Sequence, residues 1–161
     1  MAMELWVFSD TQLNSIGEWQ VAIDAEDYPL KLDDKAPFKS IRGFLPAYLR
    51  GELTGFECYH DDASGLIGGN SDLNFGHDWK YVLAFRWAGS KANEQRAAWM
   101  AGVAYARATE GVIFDDQEAK FRSATEAREV VRDVERDIPK IDKKAMTDKV
   151  LRELKLGPYR E

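Results

Sequence analysis

The chain holds a single cysteine, Cys58, among its 161 residues. One cysteine excludes an internal disulfide framework and suits a reducing compartment. Histidine is almost as scarce, with only His60 and His77, so there is no H-E-x-x-H metalloprotease helix. The G-x-S-x-G elbow of serine hydrolases is missing, as are EF-hand spacing and a Lys-Ser/Thr partner for the Gly68-Gly69 pair. No apolar stretch approaches the roughly 20 residues that cross a bilayer. The opening "MAMELWVFSD" lacks the basic start and cleavage site of a signal peptide. These absences predict a cytoplasmic protein with no membrane span.

What is present is the composition of one globular domain: 45% hydrophobic, 12% aromatic and 31% charged residues, with five tryptophans. That length and hydrophobic content suffice for a sizeable core. Charge is unevenly placed. Residues 1–80 carry 6 basic and 14 acidic side chains, against 16 basic and 14 acidic in the remainder. The acidic first half repels phosphate backbones and attracts basic proteins, which argues against nucleic acid as a partner.

Periodicity sketches the elements. "ELWVFSD" alternates as a strand, with Leu5 and Val7 on one face and Trp6 and Phe8 on the other. Ser9 and Gln12 have capping-box spacing for a helix carrying Leu13, Ile16, Trp19 and Ile23. A Pro-punctuated strand follows at "YPLKL". "GFLPAYLRG" and "LTGFECYHDD" predict a hairpin about Arg50-Gly51, with Pro46 marking an edge. "ASGLIGGNSDLNFGHD" reads as a loop. "WKYVLAFRWAG", a long Ala-rich helix and "GVIFDD" then form a second strand-helix-strand unit, with Gly111 expected at the helix C-cap. Ser123 and Glu126 are another capping box, heading a helix striped by Ala127, Val130, Val131 and Val134. A final helix is expected from Lys144 to Leu156, with Met146, Val150, Leu151 and Leu154 on one side. The sum predicts an α+β protein. Its mixed, mostly antiparallel sheet holds two β-α-β units of ferredoxin-like or related type. The expected division is a core domain over 1–122 and a C-terminal helical extension, 123–161, packed on it.

"GFECYHDD" (Gly55 to Asp62) draws attention because it concentrates Cys58, His60 and three carboxylates. As a strand it splits. Phe56, Cys58 and His60 face one way, and Glu57, Tyr59 and Asp61 the other. A lone Cys between aromatics is a buried hydrophobe by default, and no metal or other cofactor is expected. The outward acids with Asp62 read instead as a docking edge, to which the pair Asp115-Asp116 adds if it lies on the same side. Trp79, at a loop exit, is the candidate aromatic anchor.

Taken together and in this order, the segments "GEWQVAIDAEDYPLKLD", "GFLPAYLRGELTGFECYHDD" and "LAFRWAGSKANEQRAAWMAGVAYARATEGVIFDDQEAK" resemble small bacterial proteins. Some of these look like immunity proteins of polymorphic or contact-dependent toxin systems, a setting that includes type VI secretion. The resemblance covers residues 4–125 and includes no catalytic motif. It implies a non-enzymatic cytoplasmic protein whose partner is a cognate toxin with a basic cleft. The expected contact residues are Glu57, Tyr59, Asp61, Asp62, Trp79, Asp115 and Asp116. Two alternatives stand beside it: a small enzyme or ligand-binding domain using a Cys58/His60/Asp61 pocket, and a regulatory module that forms a homodimer through its C-terminal helices.

Overall fold

The computed structural model describes residues 2–136. Strand β1 (Ala2–Ser9) leads to helix α1 (Ile16–Ala25), then β2 (Leu30–Leu32), β3 (Arg42–Leu49) and β4 (Glu52–Asp62). A short helix α2 (Ala63–Gly69) precedes β5 (Tyr81–Ala88), α3 (Ala92–Thr109), β6 (Val112–Asp115) and β7 (Lys120–Arg122). A fourth helix, α4, begins at residue 124 and is described to residue 136. The protein is α+β, built on an open seven-stranded sheet in the order β2-β3-β4-β5-β1-β6-β7. Every neighbouring pair is antiparallel, so the sheet is not mixed. Both strand-helix-strand connections join strands of like direction that are not neighbours. Strand β1 lies between β5 and β6, and three strands separate β1 from β2.

The sheet has one covered face. Leu5, Val7, Leu45, Phe56, Cys58, Phe85 and Ile113 point into a core shared with α1, α3 and α4. Trp19 of α1 is its hub, meeting Phe38, Phe56, Phe85 and Tyr105 edge-on at centroid distances of 5.5–6.2 Å. Its indole N–H donates to the Ala101 carbonyl at 3.0 Å, so the large ring is buried without an orphaned donor. Truncating such a side chain costs roughly 3–5 kcal/mol. In α3 the run from Arg96 to Ala106 is buried throughout. Gly102 lets the helix settle onto β1, because an added Cβ would lie 3.1 Å from a Leu5 methyl.

Several local expectations are revised. Helix α1 is capped by Ser15, whose hydroxyl accepts from the Glu18 N–H, and not by Ser9; Ser9 is buried in β1 and donates to the Thr11 carbonyl. The expected loop after β4 contains α2, because Asp62 caps it and Ala63, Leu66 and Ile67 pack on the sheet. The left-handed C-cap of α3 is Glu110, at φ 55°. Gly111 serves a different need, since a Cβ there would stand 2.3 Å from the Phe8 carbonyl oxygen. Pro46 lies inside β3, but β2 pairs only with Ala47, Tyr48 and Leu49. Its missing N–H therefore faces the point where β3 itself becomes the sheet edge.

The Ser123–Glu126 capping box forms in both directions, at 3.0 and 3.1 Å. Ala124, Ala127 and Val131 then pack α4 into the main core. Glu135 pins its described end, accepting from Arg96 of α3 at 2.6 Å and from Arg50 of the β3–β4 turn at 3.1 Å. Burial opposes ionisation of Glu135, but the bonds and charges of Arg96 and then Arg50 outweigh it and lower its pKa. The helix expected over 144–156 lies outside the described residues. No described helix is long and apolar enough to cross a membrane.

Candidate docking site

The opposite face of the sheet is covered only in part. Over its upper end, Phe8, Val82 and Phe114 form a second cluster with α2 and with Leu73, Phe75 and Trp79 of the following loop. The remainder faces solvent. Strand β4 crosses this open face and supplies Leu53, Gly55, Glu57, Tyr59 and Asp61 in alternation, beside Tyr48, Pro46, Phe44 and Arg42 of β3.

Glu57 sits between Phe44 on one side and Arg86 on the other, and Arg86 is in turn opposite Glu4. The Tyr59 hydroxyl donates to Glu57 Oε1 at 2.6 Å. That bond raises the tyrosine pKa above its ordinary value, since ionising the phenol would break it and set two anions together. The Arg42 guanidinium lies 5.9 Å from the Tyr59 ring centroid and donates to the His60 carbonyl. Tyr59 is therefore held at both ends, its ring by a cation and its hydroxyl by a carboxylate.

At the upper end Asp61 and Asp62 are exposed. Asp62 accepts from the Ser64 N–H as the α2 cap, and Asp61 Oδ1 accepts from the Asp62 N–H. Together with Gln12, His60, Ser64, Trp79, Lys80 and Tyr81 they line a shallow recess of about 690 Å³. Trp79 is half-buried, its indole N–H bound to the Phe75 carbonyl and its ring against His77. His77 is bonded to Asp10 at 2.6 Å, and Asp10 also accepts from the Lys80 N–H. Carboxylates thus collect at this end of the molecule.

Not all the residues expected to act together are brought together. Asp115 is 3% exposed and faces the helix side. It accepts from Arg122 and from the Gln117 and Glu118 N–H groups, holding the β6–β7 turn. Exposed Asp116 is beside it, but the pair lies away from Asp61 and Asp62. Asp115 stands on the row of Leu5, Phe85 and Cys58, three residues below Asp61 and across two strands. The pocket expected to unite Cys58, His60 and Asp61 is likewise divided. Cys58 is wholly buried, and burial pushes its thiol pKa far up, which makes it a poor nucleophile. His60 also points to the helix side. Its two ring nitrogens are buried without partners, its ring meets Phe38 edge-on, and burial lowers its pKa. Among the described residues no group of three or more His, Cys, Asp or Glu side chains is placed to hold a metal.

Phe44, Tyr48 and Leu53 also belong to this face, in addition to the residues expected from the sequence. Their signal was the alternation in "GFLPAYL", where Leu45, Ala47 and Leu49 are the buried set. No family model matches the chain, and comparison with curated proteins and with solved structures likewise gives no match.

Proposed function

We propose that the chain is a non-enzymatic binding protein of immunity type. It neutralises a cognate toxin in the cytoplasm by laying the acidic end of its open sheet face over a basic cleft. The observation that carries this reading is the outward row of β4, where Glu57, Tyr59 and Asp61 stand side by side on an uncovered face and lead into Asp62. Trp79 provides a half-buried aromatic edge to the same end. Asp115, committed to Arg122, and its neighbour Asp116 stand apart from that end. Exposed carboxylates on a rigid sheet favour rapid, oriented association with a cationic surface. The direct test is co-expression with the polypeptide encoded beside this chain. Growth restored by the wild-type chain supports the reading, and growth arrest unaffected by it opposes the reading.

The architecture supports a finer reading as well. Strands β4-β5-β1-β6, alternating in direction and linked through α1 and α3, follow a ferredoxin-like plan. In this reading the β2–β3 pair is an insertion before the second strand of that plan, α2 lies in the link to the third, and β7 extends the far edge.

A further inference from the structure

The lower half of the open face, next to the β3–β4 turn, is apolar where the upper end is acidic. Phe44, Tyr48 and Leu53 are 53%, 47% and 71% exposed. Among the described residues the other exposed large hydrophobics are Val21 and Tyr81, so the exposure is concentrated here and not scattered. Tyr48 and Leu53 are direct cross-strand partners, and Pro46 opposite Gly55 fills the step to Phe44. The Phe44 ring folds over Gly55, where an added Cβ would stand 2.5 Å from it. Both aromatics are carried on paired strands, so little backbone ordering remains to be lost when something covers them.

This strip runs without a break into the acidic row. Leu53, Gly55, Glu57, Tyr59 and Asp61 succeed one another on one side of β4, and Phe44 is the cross-strand partner of Glu57. From Leu53 to Asp61 is about 26 Å of strand. That length fits inside one patch of about 800 Å², the share each partner gives to a stable interface. The two arginines of the face are engaged within it, Arg86 with Glu4 at 3.7 Å and Arg42 with the His60 carbonyl at 2.8 Å. Asp61 and Asp62 are thus left facing outward. The strip by itself offers on the order of 300 Å² of apolar surface, too little for a stable dimer. A second copy would also bring up a body of the same net charge, −6.

We infer that the strip of Phe44, Pro46, Tyr48 and Leu53 is the apolar half of the same docking interface. Its occupant is an apolar ridge of the toxin that borders the basic cleft. This role rests on the neutralisation proposed above and divides the labour within it. The carboxylates speed encounter through long-range attraction. Burial of the strip then holds the complex once it has formed.

The test compares the full wild-type chain with a Tyr48→Ser, Leu53→Ser double variant, each binding the polypeptide encoded beside this chain. Both positions are exposed, so the urea midpoint should stay near that of the wild type. Dissociation should be about thirtyfold faster in the variant, the loss of a hot-spot pair, and association should change by less than about threefold. Tyr48→Phe with Leu53→Met, which keeps the apolar surface, should dissociate like the wild type. Cross-saturation from the polypeptide to the Phe44, Tyr48 and Leu53 amides of the perdeuterated wild-type chain reads the same contact without substitution. Wild-type dissociation in the serine variant, or no cross-saturation at these amides, would take the strip out of the interface and leave neutralisation through the acidic end standing. A wild-type chain that does not bind the polypeptide would remove both. A dimer of the chain alone that the serine variant abolishes would assign the strip to a second copy and overturn the inference.

Discussion

The Tyr59 hydroxyl and Glu57 Oε1, 2.6 Å apart on the open face of β4, form a hydrogen bond between neighbours on one side of a strand. Such a bond fixes the direction of a carboxylate before any partner arrives, which lowers the ordering cost of association. Its first consequence is spectroscopic. Tyr59 should titrate above the ordinary value of 10.0, and Glu57→Gln should bring it back down. Ring-carbon NMR across alkaline pH reads this directly. An unchanged Tyr59 titration in the variant would mean that the bond does not hold in solution.

Gln20 closes the β2 edge. Its amide nitrogen donates to the Leu30 carbonyl at 2.8 Å and its oxygen accepts from the Leu32 N–H at 2.8 Å. A side chain thereby takes the place of an eighth strand and blunts a site of intermolecular pairing. Gln20→Ala is expected to destabilise the protein by about 1–2 kcal/mol and to introduce concentration-dependent association. Urea denaturation and sedimentation velocity check the two effects separately.

Gly111 is required for space. A methyl group there collides with the Phe8 carbonyl oxygen and crowds the Ser9 Cβ and the Thr109 hydroxyl, so the turn from α3 into β6 must move. Gly111→Ala should cost roughly 2–3 kcal/mol, a typical penalty for overpacking against backbone. Gly68→Ala, where nothing lies within 4 Å of the added Cβ, is the control and should change the urea midpoint far less.

The main strands were legible in the sequence because two-residue alternation survives in most of them. "GFECYHDD" separates into buried Phe56 and Cys58 and outward Glu57, Tyr59 and Asp61. The long helix and the Ser123 cap were legible for similar reasons of period and spacing. What escaped depended on partners distant along the chain. Asp115 looked like a surface acid until Arg122 of the next strand covered it. The role of Gln20 needs a strand ten residues away, and that of Gly111 needs the carbonyl of Phe8 above it. Capping boxes are local patterns, so Ser9 with Gln12 and Ser15 with Glu18 offer the same signal six residues apart, and only the second caps α1.

His60 gives the fold a mild acid sensitivity. Its buried ring nitrogens lack partners, and burial lowers its pKa from the ordinary 6.5. The unfolded chain therefore takes up this proton first. Stability is fully present above about pH 6.5 and declines as pH falls from there toward the folded-state value. His60→Leu should remove that decline and, by deleting two unpaired polar atoms, raise stability at pH 7 by about 1 kcal/mol. Urea midpoints measured from pH 8 to pH 5 decide it. An equal decline in wild type and variant would assign the sensitivity to another group.

The acidic end of β4 is the centre of the functional proposal, and its two aspartates must be altered differently. Asp61→Lys reverses a charge at an exposed position, whereas Asp62→Asn removes a charge and keeps the cap on α2, since Asn caps as well as Asp. The decisive measurement is the association rate of this double variant, by stopped flow, with the toxin that the wild-type chain neutralises. Association should slow by roughly tenfold or more at low salt, and the difference should shrink as salt rises. A rate and affinity equal to those of the wild type, with the fold intact, would contradict docking through this face.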